Sequence, residues 1–219
     1  IRRSTRRRTL EITVERSGEL AICAPPDVDD SRLRSFILEK RFWIYTKLAE
    51  KQRLQRSMPL KEFVGGEGFL YLGRSYRLKL VDEQRVALRL TNGRFTLRSD
   101  SVTSAREHFV SWYTNRARAW LSERVAEYQA RMEVSPASVR VQELGYRWGS
   151  CGKGGHLYFH WKTILLPARI AEYVVVHEMA HLHEPHHTPA FWIRVERAMP
   201  DFAQRKAWLA EHGIGVEGI

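Results

Sequence analysis

Five of the chain's nine histidines lie within YVVVHEMAHLHEPHHTPAFW, residues 173–192, and three residues of that stretch have a spacing that could do chemistry. His177 and His181 stand four apart, so on a helix they lie one above the other and can offer ring nitrogens to a single cation about 2 Å from each. Glu178 is one position along and points about 100° around the axis, where a carboxylate reaches water beside the cation without entering the coordination sphere. One catalytic Zn2+ held by histidines, with Glu178 as general base, would make this segment a site for metal-assisted hydrolysis.

The flanks support that reading. Tyr173, Val174, Val175 and Val176 precede the motif, and Met179, Ala180 and Leu182 interleave with it, so the helix is apolar nearly all round. Bare His or Glu buried there would carry a large desolvation cost, which a cation removes. A catalytic zinc takes a third protein ligand and leaves a further position open. Glu184 and Pro185 should end the helix and let the chain turn, so that His186 or His187 comes back toward the metal; spacing does not separate the two. His183 falls on the wrong face. Glu196, Glu172 and Asp201 are candidate acceptors for the remaining imidazole N–H groups.

Several elements must position this helix. Thr9–Val14 and Leu20–Ala24 alternate apolar and polar residues around a Ser17-Gly18 turn and predict a β-hairpin. Asp29 and Asp30 offer N-caps to an amphipathic helix over about 31–56. FLYLG, YRLKLV, VALRL and RFTLR, punctuated by Gly73, Asp82-Glu83 and Asn92-Gly93, predict a small antiparallel sheet between residues 65 and 100. A second long helix over about 103–132 carries aromatic residues at three- and four-residue spacing, the pattern of a core face. A strand at 139–143, a Gly-rich loop at 145–155, a strand at 157–161, the motif helix at 168–183 and helices from about 189 and 202 complete the chain. The expected fold class is α+β: a β-rich N-terminal lobe with one long helix over residues 1–100, and a helical lobe with a short sheet and the HExxH helix over residues 101–219.

Composition bounds the rest. A 219-residue chain with 43% hydrophobic residues can bury a substantial core. Two cysteines make no disulfide framework, no run approaches the length of a membrane span, and the start IRRSTRRRTL lacks a secretory apolar stretch, so a cytoplasmic protein without a membrane partner is expected. The net charge of +11 makes a nucleic acid or nucleotide a candidate partner through a basic surface. Oligomeric state has no signature in the sequence.

RWGSC (Arg147–Cys151), a strand, a Pro and then YVVVHEMAHLHEPHHTPAFW resemble the YgjP-like metallopeptidase domain, a zinc-dependent family related to the WLM and SprT-like peptidases. RRRTLEITVERSGELAICAP, the helix with FWIYTKL, and YLGRSYRL resemble it too, so the likeness covers almost the whole chain. It implies a zincin-like second lobe, peptide or protein substrates, and a HExxHxxxxxH pattern that selects His187 as third ligand beside His177 and His181. His186 stands where the family often has Asn, His160 where it tends to have Asn, and Gly152 where Ser is common. Arg147 and His160 are candidate substrate contacts; Cys151 is either a packed side chain or a resting-state ligand. Two rival functions remain: a metal-dependent nucleoside triphosphate pyrophosphatase or phosphohydrolase using Arg147, Lys153, Lys162 and Arg169, and a nucleic-acid-associated binding protein whose metal is structural.

Overall fold

The computed structural model describes residues 1–5, 8–14, 19–54, 61–145, 147–216 and 219. It is an α+β protein with two compact units, Ile1–Met58 and Pro59–Ile219. In the first, β2 (Glu11–Val14) and β3 (Leu20–Ala24) pair antiparallel, and β1 (Arg2–Arg3), which the sequence pattern did not single out, adds parallel to β3. The expected Ser17-Gly18 turn lies outside the described residues. Asp29 accepts the Arg32 N–H at 2.7 Å and so caps α1 (Asp30–Leu54). Ile22, Ala24 and Leu33 form this unit's small core.

The larger unit begins with four strands, β4 (Gly68–Tyr71), β5 (Arg74–Val81), β6 (Leu88–Thr91) and β7 (Arg94–Arg98), in the order β4-β5-β7-β6. The sheet is mixed rather than antiparallel, because β7 pairs parallel to β5. Asn92 (φ 49°) and Gly93 (φ 72°) make a tight turn with both central residues left-handed, which suits a two-residue hairpin and folds β7 back inside β6. The central place goes to the strand with most to bury: Phe95 and Leu97 of β7 are fully covered.

A 3₁₀ turn at Ser99–Ser104 leads directly into α2 (Ala105–Met132), which buries Phe109, Tyr113, Ala117, Leu121 and Val125 at four-residue intervals. Phe109 packs on Phe95 and Phe69 of the sheet, and the Tyr113 hydroxyl donates to the Leu70 carbonyl at 2.7 Å. β7 and α2, which flank residue 100 in sequence, thus contribute Phe95, Leu97 and Phe109 to one core within the Pro59–Ile219 unit.

Three further strands, β8 (Ser138–Gln142), β9 (Gly149–Gly152) and β10 (His156–His160), form a sheet in the order β8-β10-β9, with β8 parallel and β9 antiparallel to β10. The helices α3 (Ala168–Ala180), α4 (Pro189–Ala198) and α5 (Phe202–His212) follow, α3 packing on α2, α4, α5 and β9. No described helix is long and apolar enough to cross a membrane.

Candidate active site

Helix α3 buries Val174, Val175, Val176, Met179 and Ala180, so its backbone is held on nearly every side. The residues it turns toward a cleft of about 480 Å³ are His177, Glu178 and, at its C-terminal cap, His181. The helix stops three residues before the expected end, yet His181 keeps helical angles (φ −66°, ψ −14°), which preserves the four-residue stacking of the two histidines. The chain then turns through Pro185 and brings His187 back to them. One ligand atom from each of His177, His181 and His187 lies within 4.8 Å of the others, and the facing Nε2 atoms of His177 and His187 are 2.9 Å apart. A tetrahedral site with nitrogens about 2 Å from a cation requires separations of this order.

The donor chemistry fits a cation. A carbonyl can only accept, so His181 Nδ1 donates to the Glu184 carbonyl at 3.0 Å, which makes Nε2 the nitrogen available to a cation in the ligating, neutral ring. Burial, with the neighbouring rings of His181 and His187 and the charge of Lys206, holds His177 down to about 3, and burial likewise lowers His187. Both are thus neutral imidazoles near pH 7, the form that ligates a metal. His177 Nδ1 is buried and has no hydrogen-bond partner among the described residues. Glu172 and Asp201, two of the expected acceptors, instead bind the Arg205 guanidinium at 3.1 and 2.9 Å.

What packs around the rings explains why they converge. Thr188 caps α4, accepting the Phe191 N–H at 3.4 Å with Pro189 in the first turn, and this fixes the chain immediately after His187. Phe191 is fully buried and touches all three imidazoles, with ring centroids 5.0, 4.6 and 4.7 Å from His177, His181 and His187. Trp192 stacks on His187 (5.6 Å, 25°) and on Phe202 (5.6 Å, 20°), and Lys206 Nζ lies 3.9 Å over the indole. His183 is turned away, bonded to the Met132 carbonyl at 3.2 Å, and His186 lies outside the cluster.

Glu178 is the buried carboxylate of the site, 7% exposed. It lies under β9, a strand absent from the sequence expectation because Gly-Ser-Cys-Gly has little β propensity and reads as loop. The approach is so close that a Cβ built on Gly149 would meet Glu178 Cγ at 2.6 Å and Oε1 at 2.8 Å. β9 is the outer strand of its sheet, and its Cys151 N–H bonds the Glu178 carboxylate. Burial pushes the Glu178 carboxyl up to about 8, against the opposing pull of the Arg147 guanidinium and the Cys151 N–H. A carboxylate with raised proton affinity, held in one place beside the histidines, is suited to take a proton near neutral pH.

Arg147 is exposed and lines the same cleft, as does Lys153. His160 does not line it. Its ring is 1% exposed, Nδ1 accepts the Lys162 N–H at 3.0 Å, and Nε2 donates to Glu143, which also takes the Trp161 indole N–H at 3.0 Å. The RWGSC segment is anchored nearby, where the Trp148 carbonyl accepts both the His160 N–H and the Thr163 hydroxyl at 2.9 Å. Cys151 is outside the histidine cluster, and burial raises its thiol, with the Glu178 charge adding to that. Gly149, the Cys151 N–H and the Glu184 carbonyl are site components that pattern reading left unassigned; RWGSC was the available signal for the first two.

The family pattern described as YgjP-like, metallopeptidase domain, matches residues 8–212. The chain belongs to the YgjP-like metallopeptidase family. This YgjP-like chain is accordingly a metal-dependent hydrolase of the peptidase class. A comparison with curated proteins gave no match. Among solved structures, the crystal structure of the metallopeptidase zymogen of Pyrococcus abyssi abylysin is 21% identical, over 38% of this chain and 85% of that chain, with a TM-score of 0.36. A likeness at that level adds nothing to the assignment.

Proposed function

We propose that this YgjP-like chain is a zinc-dependent peptidase in which His177, His181 and His187 hold one catalytic Zn2+ and Glu178 is the general base. The observation that carries it is the convergence of three imidazole nitrogens within 4.8 Å beside a buried carboxylate fixed by the Cys151 N–H. The ion would supply Lewis acidity, which makes water a nucleophile near neutral pH. Glu178 takes the proton from the attacking water at a carboxylate oxygen and is placed to hand it to the departing amine. Cys151 N–H keeps the carboxylate from rotating away, and the Glu184 carbonyl keeps His181 in the tautomer whose Nε2 faces the cluster. Arg147, at the cleft, steers a substrate carbonyl or carboxylate. His160 acts from beneath, bracing the strand end through Glu143 rather than meeting substrate.

The phosphohydrolase alternative fits less well. Of the four cations it would call on, Arg147 and Lys153 line the cleft while Lys162 and Arg169 do not. Treatment with a chelator is expected to abolish cleavage of a denatured protein, and reloading with Zn2+ to restore it together with one zinc per chain by elemental analysis. Pyrophosphate release from a nucleotide panel, with no peptide cleavage, would overturn the reading.

The stacking of Trp192 on His187 gives a second expectation. His187 is the exposed member of the cluster, and it comes from a turn rather than a helix. Trp192→Ala should weaken zinc binding by about 10–100-fold in chelator competition, as loss of supporting contacts does elsewhere. Trp192→Phe should recover most of it. Equal affinity in all three proteins would show that the stack does not position the ligand.

A further inference from the structure

The outer face of the β4-β5-β7-β6 sheet carries charge that the peptidase site does not use. Successive side chains of a strand point to opposite faces, so with Phe95 and Leu97 in the core, Arg94 points outward, and Thr96 lies on that same side but is buried, its hydroxyl donating to the Gln84 side chain at 2.8 Å. Strand register builds two rows on that face. Arg77, Arg94 and Thr91 stand side by side across β5, β7 and β6, and Lys79, Thr96 and Arg89 form the next row. All four cations are exposed, and none makes an ion pair among the described residues; Arg77 donates only to the Gly66 carbonyl, at 2.8 Å. Of the acids flanking these strands in sequence, Glu67 is engaged by the Phe63 N–H and Lys61 and Asp82 by the Ser99 hydroxyl, while Glu83 is exposed in the β5-β6 connection. A groove of about 670 Å³ bounded by Gly65, Gly66, Arg77, Lys79 and Arg94, with Leu78 and Leu80 in its wall, adjoins the rows.

Like charges directly opposite on paired strands destabilise the pair, so Arg77 beside Arg94 is a cost that an anion would offset. The chemistry of the face selects the anion. Protein interfaces have an apolar core with aromatic anchors, and the accessible side chains of these two rows are Arg77, Arg94, Lys79 and Arg89, with Thr91 half-buried beside them. Single strands are held by stacking bases on aromatic rings, and no aromatic residue stands in either row. Phosphates of a duplex are contacted by Arg, Lys and Thr side chains, which carry no sequence information. We propose that this sheet face binds the phosphate backbone of a duplex nucleic acid without base selection.

The test is fluorescence anisotropy with the full chain and a short DNA or RNA duplex of mixed sequence. Binding should weaken with salt, the logarithmic slope including about −3 to −4 from this face at about −0.9 per phosphate contact. A variant with Arg77→Gln, Lys79→Gln, Arg89→Gln and Arg94→Gln should bind at least about tenfold more weakly and lose that part of the slope. A charge-matched control with Arg34→Gln, Arg41→Gln, Arg106→Gln and Arg118→Gln should lose much less. Lys79→Glu alone, a single exposed change, should weaken binding in the same direction and keeps the test open if the fourfold variant unfolds. Peptide cleavage should be unchanged in these variants, since none of the four residues lines the cleft of Glu178, so failure of the peptidase reading leaves this result standing. Equal loss in the control, binding of single strands only, equal displacement by polyglutamate, or no duplex binding would each overturn the proposal.

Discussion

Glu178→Gln is expected to lower kcat for peptide cleavage by about 10²–10⁴-fold, the usual contribution of a positioned proton acceptor, with KM and bound zinc little changed. The carboxamide has the same shape, and its oxygen can still accept the Cys151 N–H, so the packing under β9 survives. What disappears is the group that takes a proton. The carboxyl's raised affinity for that proton comes first from burial, and the amide has none to replace it. Steady-state kinetics on a peptide substrate, with metal content measured on the same preparation, checks this; a variant that turns over at the native rate would remove Glu178 from the mechanism.

Gly149→Ala should be nearly as damaging although it alters no chemical group. A methyl carbon at that position would sit 2.6 Å from Glu178 Cγ and 2.9 Å from Cδ, distances at which something must move. Either β9 lifts away, which costs the Cys151 N–H contact, or the carboxylate swings out of place. A displacement of about 1 Å at a reacting group can cost about 10²-fold in rate, and overpacking of this kind destabilises by about 1–3 kcal/mol. The expected result is a kcat loss of about 100-fold with full zinc occupancy and a lower thermal midpoint. Ser150→Ala, on the same strand, should leave rate and stability close to native. Native activity in Gly149→Ala would show that the close approach does not constrain the base.

The two predictions differ in how far the sequence could have supplied them. Glu178 is readable because the helical period is regular: one step from His177 and three from His181 fixes its direction once a helix is granted, and the apolar flanks grant it. Gly149 is not readable in that way. A glycine in RWGSC has several possible reasons, and the one that applies, contact with a side chain 29 residues later (178 − 149), exists only after β9 has paired with β10 and α3 has packed beneath it. The same limit explains the sheet of β4 to β7. Alternation shows which side chains share a face, but it is silent about partners, so the parallel β5-β7 pair and the resulting double row of cations emerge only from register.

From sequence alone came the α+β class, the long helices and most of the strands, and a helix presenting His177, Glu178 and His181 together, because these depend on local periods and on the aversion of apolar surface for water. Tertiary structure decided that His187 rather than His186 approaches the pair, that α2 joins the sheet to α3 in one core, that His160 is tied to Glu143 and Lys162 away from the cleft, and that β9 presses on Glu178. Each of these is a contact between segments distant along the chain, and its geometry is set by packing many side chains at once, which no local pattern encodes.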